Sequence, residues 1–151
     1  MNLSKKFHTF LTIKWSKKRL LTEALFFLAF GRIFKTLPFK KSTRLLGNHM
    51  EETAYSMSAD EIAAAKNISN AIHIMSRYTF WESQCLVKAV AGMKMLERRG
   101  IESTLYLGTA RNQQGDLTAH AWLRCGSYYV TGVEEMAKFI VVGKFAKTKK
   151  A

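Results

Sequence analysis

A single proline, Pro38, interrupts 151 residues, so long helices and strands are open to almost the whole chain. Cysteine is nearly as scarce. Cys85 and Cys125 stand in no CxxC or His-rich spacing, which excludes a disulfide framework and a zinc ligand set and points to a reducing compartment. Long apolar runs are missing as well. The longest, LLTEALFFLAFGRIF at residues 20 to 34, contains Glu23 and Arg32 and is shorter than the roughly 20 residues that span a bilayer. No transmembrane helix is expected, and no small-x-small cleavage site follows it, so a signal peptide is not expected either and the location reads as cytoplasmic. Internal repeats are absent, as is any low-complexity tract beyond the lysine-rich tail.

Acidic residues are the other shortage: 11 Asp and Glu against 24 Lys and Arg, a net charge of +13. The imbalance is uneven. Residues 1 to 50 hold eleven Lys or Arg and one acid, Glu23, and five more lysines lie between Lys138 and Lys150. The middle is close to balanced, so an anionic partner is expected for the ends. What is abundant is apolar: 48% hydrophobic residues, with ten Phe and three Trp, enough to offset chain entropy and exclude general disorder. The length suits one ordinary domain, or a smaller one with a helical appendage.

Periodicity divides the chain. Residues 3 to 35 read as helix, with Leu20, Ala24, Phe27, Leu28, Gly31 and Phe34 recurring at three and four. Pro38 closes that element and opens a short basic connection. Between residues 48 and 58 the composition turns acidic and polar, which gives a boundary: a basic helical N-terminal region over 1–57 and a second unit over 58–151. Ser58 and Glu61 form a capping-box pattern, and Ile62, Ala65, Ile68, Ile72 and Met75 mark the buried stripe of the helix that follows. A further helix has Ser83 as its N-cap, Leu86, Ala89, Val90, Met93 and Leu96 on its apolar face, and Gly100 at its end after Arg98 and Arg99. The period then becomes two. Leu105 and Leu107 alternate with Thr104 and Tyr106, NQQGD reverses the chain, LTAHAWLRC alternates again, and a Gly-Ser turn leads into YYVTG. Three antiparallel strands beside two helices make an α+β fold.

The chemistry-bearing residues are Cys85 and His120. A thiol in the first turn of a helix meets the positive end of the macrodipole, which favours thiolate. An imidazole on a neighbouring strand can serve as its base. His120 lies between Ala119 and Ala121, which leave its ring room, and beside Trp122, which can wall the site from water. The plainer reading has the cysteine as a small buried hydrophobe and the histidine as a satisfied strand residue. Cys125, at a hairpin turn with no helix dipole, is assigned a structural role, as are His8, His49 and His73.

CLVKAVAGMKMLERRGIESTLYLGTA followed by AHAWLRCGSYYVTG resembles the peptidase domain of the lasso peptide leader peptidases, the transglutaminase-like cysteine proteases of bacterial lasso peptide gene clusters. The shared pattern is Cys-Leu opening a helix, Arg-Arg-Gly-Ile at its end, a Leu-x-x-Gly strand and Ala-His-Ala-Trp on the next. LPFKK and RLLG in the basic front end also resemble that family. The resemblance implies a papain-like or transglutaminase-like core and a cysteine peptidase that removes the leader from a ribosomally synthesised precursor, without a cofactor or metal. Cys85 would be the nucleophile and His120 the general base and then acid.

Such enzymes usually complete a triad with an aspartate about a dozen residues beyond the histidine. Here that position is close to Gly132, and no Asp is present. If the Gly-Ser turn sets His120 opposite Gly132, Glu134 lies on the same face within diagonal reach and is the expected orienting acid, with Glu135 or Thr131 if the register slips by one. Asp116, roughly 13 Å along the strand, is a poor alternative. A backbone carbonyl can also orient a Cys and His dyad. Gln84, together with the Cys85 backbone N–H, is the expected oxyanion donor.

The resemblance also implies partners: a separate precursor recognition protein that carries the leader, the precursor peptide itself, and the lasso cyclase. The basic amphipathic front end suits docking to such a partner, or peripheral contact with an anionic membrane. Nucleic acid is not expected, because the aromatics follow core periodicity instead of forming a stacking platform. Two other functions keep part of this reading: acyl transfer through the same thioester, and a non-catalytic basic module that binds membrane or an acidic partner.

Overall fold

A computed structural model describes residues 12–80 and 84–149. The first helix, α1 (Trp15–Thr36), ends where Leu37, held extended before Pro38, can no longer continue it. Pro38 then caps a second helix, α2 (Phe39–Leu46), so the expected basic connection is itself helical. A two-residue strand, β1 (Asn48–His49), precedes an extended loop and α3 (Ala59–Ser76). The capping box at the start of α3 is present in full: the Glu61 N–H donates to Ser58 Oγ at 3.2 Å and the Ser58 N–H to the Glu61 carboxylate at 2.9 Å. Helix α4 (Cys85–Glu97) leads into β2 (Ser103–Arg111), β3 (Leu117–Cys125) and β4 (Tyr128–Thr131). A 3-10 turn (Met136–Lys138) then leads into β5 (Ile140–Lys147).

The strands form one antiparallel sheet in the order β1-β5-β2-β3-β4. The expected meander is its β2-β3-β4 half. The lysine-rich tail is a departure: its residues 140 to 147 are a strand that pairs along β2 from Thr109 to Ser103. Lysines disguise it. Lys144 and Lys147 point outward to Glu52 at 2.9 Å and Glu97 at 3.0 Å, while Phe145 enters the core between them.

One hydrophobic cluster runs from Leu21 to Phe145. Helix α4 is its axis, with Val87, Ala89 to Met93, Met95 and Leu96 all buried. It lies against α1 and α3 on one side and the sheet on the other. Its three charged residues, Lys88, Lys94 and Glu97, are all only part-exposed, as a helix packed on two sides requires. Two glycines let it be approached. A Cβ on Gly31 of α1 would come within 2.7 Å of the Val87 carbonyl oxygen, and one on Gly92 within 2.7 Å of Leu123 on β3. The expected α1 stripe is buried almost as read, with Leu21 in place of Leu20. On the opposite face, Trp15, Phe26 and Ile33 are 73%, 65% and 64% exposed. No helix among the described residues is long and apolar enough to cross a membrane.

Candidate active site

Ser83, the expected N-cap of α4, lies outside the described residues. The N-cap is Gln84, which places Cys85 at the first helical position instead of the second. Gln84 makes no side-chain cap bond, and the first intrahelical bond is from the Lys88 N–H to the Gln84 carbonyl at 3.1 Å. The N–H groups of Cys85, Leu86 and Val87 therefore have no intrahelical acceptor. The thiol itself is half-buried. Lys35 of α1 donates to the Gln84 side-chain oxygen, so the residue before the cysteine is held from a different element.

A cleft of about 900 Å³ opens here, between the start of α4, the exposed ridge of α3 and the end of the sheet. Cys85 and His120 both line it, as do Gln84, Lys88, Thr131 and Glu134. Thiol and imidazole share this space with no direct hydrogen bond between them among the described residues. The Nε2 atom of His120 lies 2.8 Å from the carbonyl oxygen of Gly132. A carbonyl oxygen only accepts, so this nitrogen carries a hydrogen, which in the neutral tautomer leaves the lone pair on Nδ1.

Aromatic rings hold the imidazole. Trp122 stacks near it, with centroids 5.8 Å apart, and Phe139 lies at 5.0 Å. Gly108, opposite His120 on β2, makes room for this clamp: a Cβ there would come 2.8 Å from the Trp122 ring and 2.9 Å from Phe139. Tyr106 continues the stack on Trp122 at 5.6 Å, and burial pushes its phenol up to about 12. Beneath it Arg124 is fully buried. Its guanidinium donates to the Tyr106 hydroxyl at 2.9 Å, the Gly126 carbonyl at 2.6 Å and the Thr53 carbonyl at 3.0 Å, tying the loop before α3 to this face of the sheet.

The expected register between β3 and β4 is not the one present. Cys125 pairs with Tyr128 and Arg124 with Tyr129, and a bulge at Val130 then sets Leu123 against Thr131. The strand ends there, so Gly132 is not the cross-strand partner of His120, and Glu134 sits in an exposed turn beyond β4. Glu134 lines the cleft but makes no hydrogen bond to His120 among the described residues. Glu135 pairs with Lys138 at 3.3 Å. The Thr131 hydroxyl is buried without a partner among the described residues. Asp116 stays in the distant turn, its backbone N–H bonded to the Asn112 side chain at 2.8 Å.

Gly132 itself, close to where the resemblance implies an acid, contributes a main-chain oxygen. Its φ is +77°, and a Cβ would come 2.6 Å from the Ala121 carbonyl oxygen and 2.9 Å from Trp122. No side chain fits there without moving β3. Cys125 is buried, and burial pushes its thiol up to about 11, so it is an inert core residue at neutral pH. Among the described residues no three of His, Cys, Asp and Glu are grouped as a metal would need.

A thiol at the uncapped start of a buried helix and a histidine on the adjoining sheet, with one nitrogen tied to a carbonyl, thus share one cleft on an α+β scaffold. The chain belongs to the transglutaminase-like superfamily, whose family model matches residues 26–144. That superfamily consists generally of cysteine-dependent enzymes. No curated protein and no solved structure matches the chain.

Proposed function

We propose that this chain is a cysteine peptidase that removes the leader from a lasso peptide precursor, with Cys85 as nucleophile and His120 as base. The observation that carries the reading is the bond from His120 Nε2–H to the Gly132 carbonyl, inside the cleft that Cys85 opens onto. With that hydrogen fixed, Nδ1 accepts the thiol proton, and the carbonyl dipole stabilises the imidazolium that results. The thiolate attacks the scissile carbonyl. Negative charge develops on its oxygen, which meets the uncapped N–H of Cys85 and the Gln84 amide that Lys35 holds. The imidazolium then protonates the leaving amine, and water, deprotonated by the same nitrogen, hydrolyses the thioester.

A separate recognition protein delivers the leader, and the outer face of α1 suits its docking. Trp15, Phe26 and Ile33 stand out among Arg19, Arg32 and other basic residues on this side, which offers apolar anchors and electrostatic steering. Acyl transfer is the second reading, because superfamily membership is compatible with either fate of the thioester.

The test is mass spectrometry of a lasso-type precursor incubated with the protein and its recognition partner, wild type beside Cys85→Ala. Separate leader and core fragments from the wild type alone are expected. Cleavage by the variant would sink the mechanism, and a product heavier by an amine in place of water would shift the assignment to acyl transfer.

A further inference from the structure

A second hollow, of about 740 Å³, lies between the start of α1 and the exposed ridge of α3. It adjoins the catalytic cleft: Asn70 and His73 of α3 line both. Taken together as one composite groove, they lead from Cys85 over the Asn70 and His73 ridge of α3 to Lys14 and Lys17. The groove is electrically polarised. Neither Lys14, Lys17 nor Lys88 meets a carboxylate among the described residues, whereas Lys94, Lys138, Lys144, Lys147 and Lys149 all do. At the opposite rim of the cleft stands Glu134. Between these ends the ridge of α3 offers the side-chain amides of Asn67 and Asn70 and the ring of His73, whose Nε2 lies 2.9 Å from Arg77. Exposed amides of this kind can bond an extended backbone, which presents unpaired N–H and C=O groups along its length.

We infer that this groove binds an extended peptide segment carrying carboxylates, which lie against Lys14 and Lys17 while the segment continues over α3 into the catalytic cleft. The inference rests on the peptidase reading for its substrate class, since a peptide is what the cleft would cut. It adds where the chain of the substrate lies and which charge that stretch carries. Lysines that meet no carboxylate among the described residues, at the end of the site away from Glu134 and Glu135, favour an anionic ligand, and the adjacency of the two hollows favours a long one over a single ion.

The experiment uses the full chain with Cys85→Ala, so that nothing turns over, and two fluorescein-labelled peptides of alternating residues, one of Glu and Ser, the other of Lys and Ser. Fluorescence anisotropy should show binding of the Glu peptide and none of the Lys peptide. Lys14→Glu with Lys17→Glu should weaken that binding about tenfold, since two attractions become repulsions. Lys40→Glu with Lys41→Glu, the same charge change on α2 outside the groove, should alter it by less than about twofold. In the wild type, saturating Glu peptide should slow alkylation of Cys85 by iodoacetamide. Equal weakening by both double variants would reduce the effect to general basicity and overturn the site, as would no binding, or binding that leaves Cys85 unprotected. These readouts need no cleavage. Groove binding with an uncut precursor would therefore refute the peptidase reading alone, and cleavage unaffected by the Lys14 and Lys17 reversal would refute the groove alone.

Discussion

Gly132→Ala should separate the backbone carbonyl from the histidine without touching either catalytic side chain. The substitution puts a Cβ on a residue at φ +77°, which costs about 1–2 kcal/mol. It also places that atom 2.6 Å from the Ala121 carbonyl oxygen, a main-chain group that cannot swing aside, so the segment after β4 must shift. For a chain of this size the backbone cost alone lowers Tm by about 2–8 °C. The shift breaks the 2.8 Å contact to His120. A hydrogen bond to a charged partner is worth about 1.5–3 kcal/mol, and the imidazole is charged once it has taken the thiol proton, so kcat/KM should fall about tenfold to about 150-fold. Two assays separate this from unfolding: precursor cleavage below the variant's Tm, and the rate of Cys85 alkylation by iodoacetamide, which should fall in parallel because the thiolate is less well supported. Gly132→Asp supplies the residue type of a conventional triad and should fail just as badly, since its Cβ meets the same oxygen. Wild-type kcat/KM in Gly132→Ala, or a loss matching only the unfolded fraction, would refute the claim that this carbonyl orients the base.

Gly108→Ala should push Trp122 and Phe139 off their present positions and loosen the His120 ring, lowering kcat more than it raises KM; steady-state kinetics with the precursor would check the split. Gly31→Ala should move α1 off the Val87 turn that follows Cys85, costing about 1–3 kcal/mol in urea unfolding together with activity. The buried Cys125 thiol, pushed up to about 11 from an ordinary 9.0, stays protonated in the folded protein while the unfolded chain ionises, so stability should decline from about pH 9 to pH 11; Cys125→Ala should flatten part of that decline in unfolding at pH 8 and pH 10. At the acid end, the Arg99 guanidinium holds the Glu23 carboxyl below its usual range, at 2.7 Å and 2.9 Å. The stability this gives is present above the unfolded carboxyl's range near 4.5 and is lost as pH falls further, and Glu23→Gln should blunt the acid transition.

Much of this arrangement is written locally. Ser58 and Glu61 announce α3, the turns at Asn112 to Asp116 and at Gly126 and Ser127 set two hairpins, and the α1 stripe is a period of three and four. Each depends on residues near one another in sequence, so each can be read without the fold. The strand at residues 140 to 147 could not be read that way. Its hydrophobic residues are crowded at one end, and its lysines gain carboxylate partners only when β5 comes to lie beside Glu52 and Glu97, residues far away along the chain. Arg124 was hidden for a related reason. A strand arginine is ordinarily a solvent-facing residue, and only the loop at Thr53, Ala54 and Tyr55 turns it into a buried anchor.

Cys85 and His120 line one cleft, and the group that holds the imidazole is a backbone carbonyl, the alternative the sequence leaves open beside Glu134, Glu135 and Thr131. The pairing of Cys125 with Tyr128 already differs by one residue from a register that sets His120 opposite Gly132, the bulge at Val130 shifts it by one more, and β4 ends at Thr131, before Glu134. The turn after β4 explains why a glycine stands close to where an acid is expected. Once β4 stops at Thr131, the chain must turn back at once beneath Ala121 and Trp122, with no room for a Cβ and a φ that disfavours one. That turn aims its carbonyl at the imidazole. An aspartate at this position would need a regular strand to present it, and the present turn needs a glycine, so the two solutions exclude each other. The absent side chain and the Gly132 carbonyl are therefore two aspects of one tight turn, and an acid placed at this position would have to displace Ala121 and Trp122.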